Sequence, residues 1–238
     1  NQPYEGLLSG EGLVRTVLYG RRLIGELFGT DARVYYSPDV PGRAAQMAQI
    51  LAKSGVPYLV HSRYRAALQH WYSPDGSRVT AWSMGHYVNT STFAKQLDGT
   101  VEEVRARIRA DLQQWDAYYR THGIPNHYAY LYSMDYIPPH DFDDLIAAWA
   151  ALDDPDAPSL VYSTPERFLD AISAGDPALE QISGERPDLW VYIHGPAHHH
   201  AITAKREAAK LLPVAEAFAT FAATHGLQPY PARRLREA

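Results

Sequence analysis

Apolar positions along the chain follow two alternating rhythms, helical spacing and short unbroken runs, and this alternation predicts a β/α order. Leu13, Val17, Ile24 and Leu27 share one face at helical spacing, with Ser9 placed as a cap and Gly29 as a stop. A helix is therefore expected to about Phe28. Residues 33–38 read as a strand that ends on Asp39, Arg43–Lys53 as a crossover helix closed by Ser54 and Gly55, and Val56–His61 as the next strand. Trp71-Tyr72 and Arg78–Trp82 flank SPDGS (73–77), a turn with Asp-Gly at its centre, which predicts a β-hairpin.

The second half continues the pattern. Thr100 and Glu103 form a capping box that opens a long helix to Arg120, ended by Gly123 and Pro125. Residues 127–132 read as a strand delivering Ser133, Met134 and Asp135, followed by a helix over about 141–151. A strand at 159–162 runs into STPE (163–166), a second capping box with proline near the first helical position. Residues 188–194 form the last expected strand, and a terminal helix over roughly 199–224 is expected to bend at Pro213. Strands alternating with helices, and polar loops after the strands, predict an α/β protein built as a β/α barrel or an open parallel sheet. The pattern changes near residue 196, so residues 1–195 are expected as the β/α unit and 196–238 as a terminal helical segment.

Composition narrows the function. At 238 residues with 46% hydrophobic content the chain can fill a proper core. Its formal net charge of −5 argues against a nucleic-acid partner. No apolar run approaches the roughly 18 residues of a bilayer-spanning helix, so no membrane role is expected. Absence of cysteine excludes disulfides, thiolate metal sites and a cysteine nucleophile. The chain opens on Asn1 rather than Met, which suggests a mature, trimmed or excised piece. Seventeen tyrosines and five tryptophans suit a surface that stacks on polar rings such as sugars, although most will be core or half-exposed surface.

Asp39 and Asp135 each follow an apolar strand. Two carboxylates at neighbouring strand ends are what a glycoside hydrolase needs, one to attack the anomeric carbon and one to protonate the leaving oxygen. The plainer reading is that each caps the turn or helix that follows. His198, His199 and His200 invite a metal reading, but consecutive side chains at a helix start diverge, and a solvated or substrate-facing end accounts for them as well. His61, His86 and His194 lie at or near strand ends and either line a site or belong to the core or rim. SGEG (9–12) lacks the spacing of a phosphate-binding loop.

Several blocks carry a family resemblance. LLSGEGLVRTVLYGRRLIGELFG resembles the SGEALVRQxLYGxRxxxExFG segment of the family-38 glycoside hydrolases, the zinc-dependent retaining α-mannosidases. YYSPDVPGRAAQMAQILAKSGVPY is similar to that family's strand–PDxFG–helix–SGxxY block, and YLYSMDYIPP to its GDDF stretch. SLVYSTPERFLDAI resembles the segment containing STPxxFF, and LWVYIHGPAHHHAITAKREAAKLLPVAEAFA the one containing ELYLExHRGTYT. The blocks occur in order over nearly the whole chain.

This resemblance implies a seven-stranded β/α barrel, present here in part, with a helical bundle beginning near the last helix. It implies a carbohydrate substrate, further domains of a longer polypeptide as partners, and zinc as cofactor. It makes Asp39 the catalytic nucleophile and a zinc ligand, Asp135 the general acid/base, and Arg63 a substrate-site arginine; Tyr136, beside Asp135, joins Arg63 as a substrate-binding candidate. The chain departs from the pattern where PDxFG becomes PDVPG, GDD becomes SMD and HRGTYT becomes HGPAHH. The family's His-x-Asp metal motif has no counterpart here, and its last zinc histidine would fall beyond Ala238. Two expectations follow: a retaining glycosidase acting on α-mannose-like sugars, or a non-catalytic carbohydrate-binding relative. With one family zinc ligand present, the isolated chain is expected to bind zinc weakly and to be inactive alone.

Overall fold

A computed structural model describes residues 3–87, 97, 99–132, 138–152, 154–187, 190 and 198–237. A short 3-10 turn at Glu5–Leu7 precedes α1, Gly10–Phe28. There follow β1 (Val34–Ser37), α2 (Met47–Lys53), β2 (Tyr58–His61), β3 (Ala67–Tyr72) and β4 (Arg78–Ser83). Then come α3 (Val101–His122), α4 (Asp143–Ala150), α5 (Pro165–Ser173), β5 (Glu180–Ser183), α6 (His199–Thr224) and α7 (Ala232–Glu237).

Local chemistry explains the helix ends. The Ser9 hydroxyl accepts from the Gly12 N–H at 3.1 Å, and Gly29 closes α1 with φ +65°, a conformation that costs glycine little. Thr100 and Glu103 complete the expected capping box, and Gly123 ends α3 at φ +63°. At α5 the cap falls one residue later than the sequence predicts. Thr164 accepts from Arg167 N–H, so Pro165 takes the first helical position and the expected reciprocal bond from Glu166 has no place in the motif. The terminal helix continues through Pro213.

The five strands form one open mixed sheet in the order β1-β2-β4-β3-β5. β1, β2 and β4 run parallel, whereas β3 is antiparallel to β4 and parallel to β5. Among the described residues the sheet is not closed and the expected barrel is not shown, because β1 and β5 are edges that do not meet. The SPDGS turn makes the β3–β4 pair the expected hairpin: Ser73 N–H donates to Ser77 C=O at 2.9 Å and Gly76 adopts φ +82°, folding β4 back beside β3. Residues 127–132 and 159–162 were expected as strands and are not strands here. The first packs its tyrosines on α3 instead, with the Tyr119 hydroxyl donating to His127 C=O and the Tyr130 hydroxyl to Asp111. The second lies beside α4, whose Trp149 indole donates to Pro158 C=O at 2.8 Å. The strand expected at 188–194 lies outside the described residues apart from Trp190.

Helices cover both faces of the sheet, so the central strands β2, β3 and β4 are nearly continuously buried. On one face Leu13 and Val17 of α1 and Met47 and Leu51 of α2 pack on Leu59, Trp71 and Val79. On the other, Phe168, Leu169 and Ile172 of α5 pack on Tyr58, Val60 and Trp82. The apolar stripe expected on α1 is only half used: Leu27 stays 64% exposed. Leu169 is fully buried in the second cluster, so Leu169→Ala is expected to cost about 2–5 kcal/mol through lost burial and the cavity it leaves. Urea unfolding measures this; a loss below about 1 kcal/mol would show that the α5 face is not tightly packed.

Candidate active site at the strand lip

The three parallel strands end together. Ser37, His61 and Ser83 lie side by side in register, and the loop after each carries polar side chains onto one lip of the sheet. Chain ends at such a lip are held by the ladder while their side chains face outward. Asp39 follows β1, Arg63 follows β2, and His86 follows β4.

Asp39 and Arg63 meet there. Arg63 Nη2 donates to Asp39 Oδ1, and Nε donates to the Asp39 carbonyl at 2.5 Å. Two donors of one planar fork thus grip both the side chain and the backbone of one residue. Arg63 reaches this position with φ +68°, the left-handed region, and its N–H donates to Gly85 C=O at 2.7 Å. A side chain in that region is disfavoured by roughly 1–2 kcal/mol, which the pairings around it offset. The guanidinium lies over the rings of Trp190 at 4.5 Å and Tyr87 at 5.1 Å, and Nη1 is 3.4 Å from His86 Nε2. The Asp39 side chain remains 38% exposed.

Beneath the lip is a charged support that the sequence reading missed. The Arg43 side chain is fully buried and donates to Gly42 C=O at 2.7 Å and Ser37 C=O at 2.8 Å, spanning the two ends of the loop that carries Asp39. Its Nη1 is 3.4 Å from the buried Glu5 carboxylate, whose other oxygen accepts from Ala44 N–H. The Arg43 backbone exchanges both of its hydrogen bonds with Arg186, and Tyr64 accepts from Gly42 N–H at 2.9 Å. Burial pushes the Glu5 carboxyl up from its ordinary value, while Arg43 and the Ala44 amide oppose the shift. A cation at the expected start of a helix opposes the helix dipole, and that local conflict was the signal available in the sequence.

His61 belongs to this support and not to the open site. It is buried against the rings of Tyr64 and Trp71, and neither ring nitrogen has a hydrogen-bond partner. Burial, with Arg43 and Arg186 adding like charge, pushes its pKa down to about 3. Below its ordinary 6.5 the unfolded chain takes a proton that the folded chain refuses. Stability is therefore full above that value and falls toward pH 3, by about 1.4 kcal/mol per pH unit. Glu5 acts in the opposite sense, since a raised carboxyl stabilises at low pH and loses that contribution as pH rises through its folded value. His61→Leu is expected to remove the first effect alone. Urea midpoints of wild type and variant at pH 7, 6 and 5 check this, and a constant difference between them would refute it.

The other candidates divide as follows. His86 is exposed on the lip; His198, His199 and His200 are exposed at the start of α6, away from any cluster of ligands. Asp135, Tyr136 and His194 lie outside the described residues. Among the described residues no group of three or more His, Asp or Glu side chains can hold a metal ion. Asp39, the one expected ligand described, has its carboxylate on Arg63. The described residues by themselves do not fit zinc.

A profile of the glycosyl hydrolases family 38 N-terminal domain matches residues 1–194. The chain belongs to this family. Over 97% of its length the family 38 chain is 26% identical to alpha-mannosidase 2C1 of Homo sapiens, covering 22% of that protein. Over 39% of its length it is 27% identical to alpha-mannosidase G of Dictyostelium discoideum, covering 9% of that protein. It thus spans about a fifth or less of these curated relatives. The crystal structure of an alpha-mannosidase from Enterococcus faecalis V583 overlays 75% of the family 38 chain and 20% of its own, with a TM-score of 0.58 at 21% identity. That overlay supports the mixed α/β fold described above.

Proposed function

We propose that this chain is part of the catalytic region of a longer α-mannosidase-like retaining glycosidase, with Asp39 as nucleophile and Asp135 as general acid/base. Arg63 and Tyr136 contribute to the sugar cradle. The observation that carries this reading is the meeting of the Asp39 carboxylate and the Arg63 guanidinium on the strand lip, the guanidinium against two aromatic rings, in a chain of this family.

In this reaction an Asp39 oxygen bonds to the anomeric carbon as the glycosidic C–O bond breaks, and Asp135 gives its proton to the departing oxygen. Water then attacks the same carbon, passes a proton to Asp135 and releases Asp39. Arg63 fixes the plane of the attacking carboxylate and keeps the loop from turning it away. Zinc enters the proposal only through ligands beyond those described, Asp39 being the one it would share with this chain.

Labelling of the full-length polypeptide by an activated fluoro-mannoside tests the assignment. The label is expected on the peptide containing Asp39; a label on another carboxylate would overturn it. The second reading, a non-catalytic carbohydrate-binding relative, draws support from the Arg63 donor already engaging Asp39. It is favoured if the full-length polypeptide binds mannosides but shows neither label nor turnover.

A further inference from the structure

Beside the strand lip lies a cavity of about 320 Å³ between the end of β4, helix α3 and the extended segment 128–131. Trp82, Trp115, Tyr118 and Tyr128 form much of its wall, and Asp111, Gln114 and Ser83 supply polar edges. His86 borders it too, the same side chain that faces Arg63. The cavity and the Asp39–Arg63 pair therefore share one wall.

We propose that this cavity is a second saccharide subsite, taking the neutral sugar ring next to the one bound at Asp39; this rests on the glycosidase reading above. Two observations select the ligand class. Among the described residues no lysine or arginine lines the cavity and Asp111 is the one carboxylate, so a phosphate or carboxylate ligand finds no counter-charge among them. The described rings that line it meet at angles from 38° between Tyr119 and Tyr128 to 86° between Trp115 and Tyr118, so they offer no parallel pair to sandwich a flat aromatic ligand. Such a stepped apolar wall fits the C–H faces of a puckered pyranose, while its hydroxyls meet the Asp111 carboxylate and the Gln114 amide.

The wall is also fixed in advance. Tyr118 donates to Leu68 C=O at 2.8 Å and Tyr130 to Asp111 at 2.7 Å, tying α3 to the sheet on one side and to the 128–131 segment on the other. A ligand entering there has little ordering left to oppose it.

The test compares the affinities of methyl α-mannoside and a non-hydrolysable S-linked α-mannobiose for the full-length polypeptide by calorimetry. The disaccharide is expected to bind at least ~10-fold tighter. Ala129→Phe, which fills the cavity, should bring that ratio close to one. Gln114→Leu, on an exposed position that leaves the core untouched, should lower it at least about threefold by removing a polar contact. A ratio near one in wild type, or a ratio that survives both substitutions, overturns the subsite and leaves the glycosidase reading standing. Binding of neither sugar overturns both.

Discussion

Asp39→Ala in the full-length polypeptide is expected to abolish fluoro-mannoside labelling and to lower turnover by a factor of at least ~10³. Loss of the carboxylate removes the only group proposed to bond to the anomeric carbon. The fold should survive, because the Asp39 side chain is 38% exposed and its loop is held from beneath by Arg43. Asp135→Ala has a different signature: turnover should fall most for substrates with poor leaving groups and little for those that need no proton. Turnover like wild type in Asp39→Ala would remove that residue from the nucleophile role, whatever Asp135 does.

The largest effect on stability is expected at Arg43. Arg43→Met leaves Glu5 buried without its cation and leaves Ser37 C=O and Gly42 C=O without their donor. Breaking a buried pair from one side costs about 3–5 kcal/mol. Adding Glu5→Gln should restore part of that loss, because an amide oxygen can still accept from Ala44 N–H without carrying charge. Chemical unfolding of the two single variants and the double variant reads the coupling directly. Purely additive losses would mean that the two side chains do not depend on each other. In the full-length polypeptide the single variant should also slow labelling at Asp39, since both ends of its loop are released.

Much of this was legible in the sequence, and the parts that were share a cause. The Ser9 and Thr100 caps, the left-handed glycines at 29 and 123, and the SPDGS turn are each decided within a few residues. Asp39 was found because it follows a strand, and Arg63 through the family resemblance. A closed barrel is not seen among the described residues, and the sheet order escaped the sequence because pairing partners are set by distant contacts. HYAYLY has the period-two pattern of a strand, yet its tyrosines find partners on α3 rather than in a ladder. EQIS shows no apolar run, yet it adds β5 to the edge through backbone bonds that any sequence can make. The Arg43–Glu5 pair escaped notice because the one local signal, a cation at an expected helix start, marks Arg43 but does not say that Glu5 will be buried beside it.

The seat of Asp39 is assembled from residues 5, 43, 64 and 186, which are far apart along the chain. During synthesis, residues 34–61 can pair β1 with β2 long before Arg186 leaves the ribosome. The sheet edge therefore exists for a time with its Asp39 loop unclosed, and contacts of such wide sequence separation are slow to form. The Asp39 loop is a late product of folding, and a nascent chain halted before residue 186 would carry the strands without the seat that holds Asp39.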